Sequence, residues 1–373
     1  MNATRRGFLA GAALLMGPRS LKAAPGEMPK RKLGKTGLEP TVLGFGCMTT
    51  TDATVIEQAA DSGINWFDTA RGYQNGNNER MVGAALKSRR QKVHITTKTP
   101  ARNKADAMAH LDTSLRELQT DHVDVWYLHS RSNPSDCPDE LFEAQDEAVK
   151  AGKARFRGVS FHSNHEQMFR FLIDKGRTDV ILVSYNFAMG EKLEPLMKEA
   201  SDKGIGIVAM KVMAGGWRRV REGDPMREKL ARPGAFAAAL KWAVRRPFVH
   251  TSIPGILDLD QLDENWRAVV TGYKPEADEK LLAAQLDLIR PVYCRSCGAC
   301  SGVCPKGLPV SDIIRYVNYA EGYGEFALGR DQFKLLPEPV REVRCADCAQ
   351  CVVRCPNGVR VAERVSRAQE LFA

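Results

Sequence analysis

VDVWYL, residues 123–128, and GIVAM, residues 206–210, are the two stretches on which the fold turns. Each is short and almost unbroken in apolar side chains, where a strand with one wet face would alternate. Such runs suit a parallel sheet covered on both faces, and parallel neighbours need a long crossover between them. The chain supplies those crossovers. Reading outward, β-rich stretches fall at 42–48, 64–69, 93–99, 122–129, 156–162, 179–186, 205–213 and 248–254. Helical patterns alternate with them near 53–62, 78–89, 104–119, 138–151, 165–175, 191–203, 233–246 and 259–270. Leu111, Leu115 and Leu118 show the helical spacing of apolar residues. Eight strand–helix units in about 240 residues predict an α/β fold, a (β/α)8 TIM barrel. A doubly wound sheet is the alternative, but no G-x-G-x-x-G follows the first strand. A short hairpin with a Lys-Thr-Gly turn is predicted over 30–40, ahead of the barrel.

At 373 residues, 43% of them apolar and 27% charged, the chain has room for one large domain and one small one. The formal charge is +9, but Arg5, Arg6, Arg19 and Lys22 fall in the first 24 residues, where there is no acid, so the rest carries +5. The basic residues are scattered and no aromatic-interleaved patch appears, so nucleic acid is not a predicted partner. The start MNATRRGFLAGAALL joins a basic head to an apolar run over 7–17. That run is too short to cross a bilayer core of ~30 Å as a helix. No later stretch reaches that length without charges, so no membrane span is expected. Arg5, Arg6, Phe8 and Leu9 resemble the twin-arginine export signal, so 1–24 is expected to be a signal peptide. That resemblance implies the twin-arginine export machinery as a partner and a periplasmic or otherwise exported location.

Eight of ten cysteines form two copies of one pattern. The first is Cys294, Cys297, Cys300 and Cys304 followed by Pro305; the second is Cys345, Cys348, Cys351 and Cys355 followed by Pro356. C-x2-C-x2-C-x3-C-P is the spacing of a bacterial ferredoxin run, in which the fourth cysteine serves the other [4Fe-4S] cluster. Cys304 is therefore expected with Cys345, Cys348 and Cys351, and Cys355 with Cys294, Cys297 and Cys300. Zinc, with four ligands, has no use for the extra cysteine in each run. Cys47 and Cys137 are left over, read as a buried small residue and a loop thiol. A helix near 276–289 leads to Pro291, so the barrel is expected over 30–290. A small, mainly helical ferredoxin-like iron-sulfur domain with two [4Fe-4S] clusters is expected over 291–373.

In such a barrel the chemistry sits at the C-terminal ends of the strands. The second strand ends in FDTARGY with Asp68 and Tyr73, the third in TTKT with Lys98, and the fourth in YLHS with His129. Together with KLGKTGLEPTVLGFG, GINWFDTARGY and SIPGILDLDQLDEN, these four residues resemble the aldo-keto reductase family over about residues 30–275. The resemblance implies an oxidoreductase that interconverts a carbonyl and an alcohol by hydride transfer with NADP or NAD. Tyr73 would be the general acid and base, Lys98 would lower its pKa, Asp68 would hold Lys98, and His129 would orient the substrate oxygen.

The cofactor positions match less fully. The resemblance implies Ser160 and His162 after the fifth strand, Ser184 and Asn186 after the sixth, and Lys211, Gly215 and Gly216 after the seventh. At the adenine end it implies Gly255, Gln261, Glu264 and Asn265. The basic residues that grip a 2′-phosphate are absent, Gly255 and Gln261 occupying their places. The substrate would be a small carbonyl or alcohol. Three readings of the two halves follow: clusters that exchange electrons with a redox partner protein, clusters that pin a lid over the barrel mouth, or an electron-transfer or binding protein without reductase chemistry.

Overall fold

The computed structural model describes residues 27–215, 234–348 and 350–373. The expected signal peptide, Gly216 and the neighbouring Arg218 and Arg219 lie outside the described residues.

Eight parallel strands follow one another round a single sheet. They are β1 (Phe45–Gly46), β2 (Trp66–Asp68), β3 (His94–Thr99), β4 (Val123–Leu128), β5 (Ala154–Phe161), β6 (Val180–Ser184), β7 (Gly206–Met210) and β8 (Thr251–Ser252). Bridges from Leu43 to Ser252 and from Gly46 to Gly255 bring the last strand to the first, as a barrel requires. β4 and β7 are buried at every residue, which is what their unbroken apolar runs predict. β1 and β8 are shorter than the expected 42–48 and 248–254. At this seam Gly44 and Gly46 donate to the carbonyls of Ser252 and Pro254 at 2.8 and 2.9 Å.

The outer helices are α1 (Ala53–Asp61), α2 (Asn77–Leu86), α3 (Lys104–Glu117), α4 (Asp139–Lys150), α5 (His165–Lys175), α6 (Glu194–Asp202), α7 (Ala235–Val244) and α8 (Leu259–Thr271). Side chains of Asp52, Asn103 and Asp258 cap α1, α3 and α8 by accepting from backbone N–H groups of the first turn. The helices bury one face against the sheet; in α4 that face is Leu141, Phe142, Ala144, Gln145 and Ala148. Inside the barrel Trp66, Val125, Tyr127, Val180, Leu182 and Val208 pack on Leu33 and Leu38 of the N-terminal hairpin. That hairpin plugs the bottom. Gly34 (φ +54°) comes so close to the α6–β7 turn that an added Cβ would lie 2.3 Å from the Gly204 carbonyl oxygen.

α9 (Pro275–Ile289) leads out of the barrel to a helical C-terminal segment with its own core. It holds α10 (Val310–Val317), a π-helical turn at Asn318–Gly322, α11 (Phe326–Lys334), α12 (Glu338–Glu342) and α13 (Val361–Phe372). α10 and α13 pack together through Ile313, Ile314, Val317, Val365 and Ala368. No helix among the described residues is long and apolar enough to cross a membrane.

Candidate active site

Asp68 closes β2, and Lys98 stands one strand over, near the end of β3. The Lys98 ammonium donates to Asp68 Oδ1 and, at 2.6 Å, to the Thr69 carbonyl. Thr96 Oγ1 donates to the other carboxylate oxygen at 2.7 Å. Both charged side chains are sealed from solvent, at 1% and 2% exposure. A buried pair of this kind holds only because each charge is met by the other and by further hydrogen bonds. Burial pushes the Asp68 carboxyl up, and Lys98 and Thr96 oppose it.

Tyr73 sits in the turn after β2, where Gln74 and Asn75 take left-handed conformations. The Gln74 side chain ties that turn down by donating to the Thr50 carbonyl at 2.8 Å. Lys98 Nζ lies 4.9 Å from the centre of the Tyr73 ring. His129 follows β4, and its ring meets Tyr73 edge-on at 5.8 Å. The four residues thus gather at one end of the barrel, Asp68 and Lys98 buried and Tyr73 and His129 mostly so.

Burial sets the protonation of this pair. It pushes the Tyr73 hydroxyl well above 10, with Asp68 and Tyr319 adding to the shift. It pushes His129 well below 6.5, with Lys98, Arg131, Arg315 and Lys211 adding to that shift. At neutral pH Tyr73 is a phenol and His129 a neutral imidazole. The expected lowering of the Tyr73 pKa by Lys98 does not prevail, because the ammonium is engaged by Asp68 and loss of water around the phenolate outweighs it.

The positions read as cofactor contacts separate into two ends. Ser160 Oγ accepts from the Ser130 N–H at 2.8 Å and donates to the Leu128 carbonyl at 3.3 Å. His162 Nδ1 and Ser184 Oγ are 3.0 Å apart. Asn186 donates to the Lys211 carbonyl at 3.0 Å and to the Tyr293 hydroxyl at 2.8 Å. Lys211 has left-handed backbone (φ +58°) and reaches under two tyrosines of the C-terminal segment, 4.6 Å from the Tyr319 ring centre and 4.9 Å from that of Tyr323. Gly215 has φ +117°. His162, Ser184 and Lys211, with Tyr293, Cys294, Arg315 and Tyr319, line a cavity of about 30 Å³. One water needs ~10–15 Å³ by such a measure, so about two waters fit. A nicotinamide ring does not fit there with the C-terminal segment seated.

At the other end, Asn265 is fully buried and neither atom of its amide has a partner among the described residues. Gly255 is exposed, and an added Cβ would lie 2.8 Å from Thr49 Oγ1. Glu264 is half-buried beside them, and Gln261 accepts from the Leu257 N–H at 3.2 Å. An unpaired donor and acceptor have the chemistry of a heterocyclic base's edge, although Asn265 is closed to solvent here.

In the C-terminal segment, Cys294 lies within electrostatic reach of Cys297, Cys300 and Cys355. Cys345 is likewise placed with Cys348, Cys351 and Cys304. Each set therefore takes its fourth thiol from the other run. Among the described residues no three acidic, cysteine or histidine side chains converge on a single ion's position. A cubane does not ask them to, since each thiolate binds a different iron. The donor sets fit two [4Fe-4S] clusters, which exchange one electron each. The Ser296 N–H and Asn357 Nδ2 donate to the Cys294 and Cys297 sulfurs, both at 3.3 Å. Cys47 and Cys137 are buried free thiols.

Sequence reasoning passed over Arg315, Asn318, Tyr319, Tyr293 and Asn357. The signal for the first three was present in RYVNYAEGY, where an arginine and three tyrosines recur at helical spacing, but it identifies a helix and not its neighbour.

The comparisons agree with this geometry. Residues 43–236 match the aldo/keto reductase family, and residues 293–359 match a 4Fe-4S dicluster domain. The chain is 26% identical over 309 residues to an uncharacterized oxidoreductase, YqkF, of Bacillus subtilis, covering 71% of this chain and 98% of that protein. It is 25% identical to L-galactose dehydrogenase of Arabidopsis thaliana, covering 70% and 94%. Among solved structures it resembles the holo form of aldo-keto reductase AKR11C1 from Bacillus halodurans, with a TM-score of 0.58 and 30% identity over 69% of this chain and 96% of that one. A barrel closed by eight parallel strands, carrying that family's sequence through more than half the chain, makes this protein a member of the aldo/keto reductase family with a 4Fe-4S dicluster domain at its C-terminal end.

Proposed function

We propose that the protein interconverts a small carbonyl compound and its alcohol at Tyr73. The observation that carries this reading is the arrangement of Tyr73, edge-on to His129, over the buried Lys98–Asp68 pair. Adding a hydride to a carbonyl builds negative charge on oxygen, and a positioned acid must meet it. Tyr73 donates its proton there, because an alkoxide is a stronger base than a phenolate. The Lys98 ammonium stabilises the phenolate that results, and Asp68 keeps Lys98 charged and fixed. His129 aims a hydrogen bond at the same oxygen. Reversed, the phenolate takes the proton of an alcohol. The relative named L-galactose dehydrogenase supports a hydroxyl-bearing substrate. NADP or NAD, the cofactor the family implies, would supply the hydride and take it back in reverse; Asn265 has the chemistry for its adenine, and its ring would have to displace the C-terminal side chains that line the small cavity.

The two clusters would pass single electrons to or from a redox partner protein. Cys294 supports this, being both an expected cluster ligand and part of the cavity wall at the barrel mouth. The twin-arginine resemblance supports export, a route for a chain folded around clusters in the cytoplasm.

Turnover of Tyr73→Phe tests the reading. We expect a loss of about 10²–10⁴ in kcat with iron content unchanged. Equal rates for variant and parent would overturn it.

A further inference from the structure

Proton transfer leaves unexplained a second group of side chains at the barrel mouth. Lys211 enters from the end of β7, and Arg315, Asn318 and Tyr319 come from α10 and its π-helical turn. Three features mark the place as built. Lys211 holds a left-handed backbone conformation that lysine rarely adopts. The π-turn interrupts a regular helix, as such turns do mostly at functional sites. Asn318 is 4% exposed, yet its side-chain oxygen has no partner among the described residues.

The charges do not balance. Arg315 pairs with Asp312 at 2.8 Å, while Lys211 makes no ion pair with a carboxylate among the described residues: it hydrogen-bonds Tyr319, lies against the Tyr319 and Tyr323 rings, and acts on Asp68 only at longer range. One positive charge therefore faces a cavity with room for about two water-sized groups. A carboxylate, with two oxygens, matches both the size and the charge. An unpaired amide oxygen beside it asks for a donor, which a hydroxyl supplies. Lys211 and Arg315 also act on the electrostatics of His129, so this cavity and the proton-transfer pair belong to one mouth.

We propose that the substrate is a hydroxylated carboxylic acid, or the oxo acid it yields. Lys211 and Arg315 hold its carboxylate in the small cavity, Asn318 accepts from a hydroxyl beside it, and the rest of the chain would reach out of the cavity toward Tyr73 and His129, which do not line it. The C-terminal domain is then half of the substrate site. This rests on the carbonyl–alcohol reading above and assigns its substrate class.

The test uses the full-length, cluster-loaded protein, kept anaerobic, with NAD+ or NADP+ supplied as hydride acceptor and a dye to take any electrons that reach the clusters. Hydroxy acids of three to six carbons are compared with their amides and with phosphate esters of the same chain length. We expect at least one acid to have a KM ten-fold or more below that of its amide. Arg315→Gln should bring that ratio close to one, and Arg315→Lys should restore part of it. Equal handling of acid and amide, or preference for a phosphate ester, would overturn the proposal. So would an Arg315→Gln variant that shifts a cluster's reduction potential but leaves the acid-to-amide ratio intact, since the cation would then serve the cluster. Calorimetric titration with the same acids reads the site without turnover. Saturable binding with no turnover of any compound sinks the reductase reading alone, and absence of saturable binding sinks this proposal.

Discussion

Lys211 of the barrel lies with its ammonium 4.6 Å from the ring centre of Tyr319, a residue of the C-terminal domain. The contact joins the two halves of the chain at the barrel mouth. It also perturbs the tyrosine. Burial pushes the Tyr319 hydroxyl up, but Lys211 and Arg315 outweigh that and hold it below the ordinary 10. In an ultraviolet titration one tyrosine should therefore ionise below pH 10. In Lys211→Met that early component should move above pH 10; an unchanged titration curve would count against the contact.

The Asp68–Lys98 pair predicts a stability effect. Both groups are buried, so Asp68→Ala leaves an ammonium with no counter-charge in a dry site. Removing one partner of such a pair costs about 3–5 kcal/mol. Chemical denaturation should show a loss of that order for Asp68→Ala, and a loss smaller than about 1 kcal/mol would mean that water reaches the pair.

Two buried histidines predict acid sensitivity. Burial lowers His165 and His250 to about 4 from 6.5, and the neutral His250 Nδ1 accepts from the Ile207 N–H at 2.9 Å. Above pH 6.5 neither the folded nor the unfolded chain protonates them. Below it the unfolded chain takes up protons first, so stability falls from about pH 6.5 until the folded residues protonate near 4. By pH 5 the loss is about 2 kcal/mol per histidine. His129 and His162 are also held well below 6.5 and add to the same fall, so His250→Gln should remove roughly a quarter of the drop in Tm between pH 7 and pH 5, and an equal fall in variant and parent would exclude His250 as a cause.

The cluster ligands predict a spectroscopic result. Asn357 donates to Cys297 Sγ at 3.3 Å, a bond that strengthens as the cluster gains an electron. Asn357→Ala should lower one reduction potential by about 40 mV, the one-electron equivalent of a net hydrogen bond of about 1 kcal/mol. The other potential should not move. Two shifted potentials, or none, would refute the assignment.

Much of this was legible from residues alone. VDVWYL and GIVAM are fully buried strands because nothing polar interrupts the face they turn to either side, Asp124 excepted. Asp124 lies at the strand start, paired with Arg90 and Arg155. Asp68 and Lys98 were legible because strand ends in a barrel converge. Tyr319 was not, since helical periodicity gives a face but no partner, and its meeting with Lys211 spans the junction of two domains. The Tyr73 protonation was not legible either. It depends on how much water burial removes, and a sequence records only that Lys98 is near in the chain's order of strands. The π-turn at Asn318–Gly322 has no propensity signature.

Cys294 is part of the wall of the cavity that Lys211 and Tyr319 share. A thiolate fixed to iron is a rigid piece of that wall, and a thiol released from it is not. Air that strips iron from this site would therefore reshape the pocket before it touched Tyr73 or His129. The working lifetime of the enzyme outside an anaerobic chamber should follow the bleaching of its brown colour.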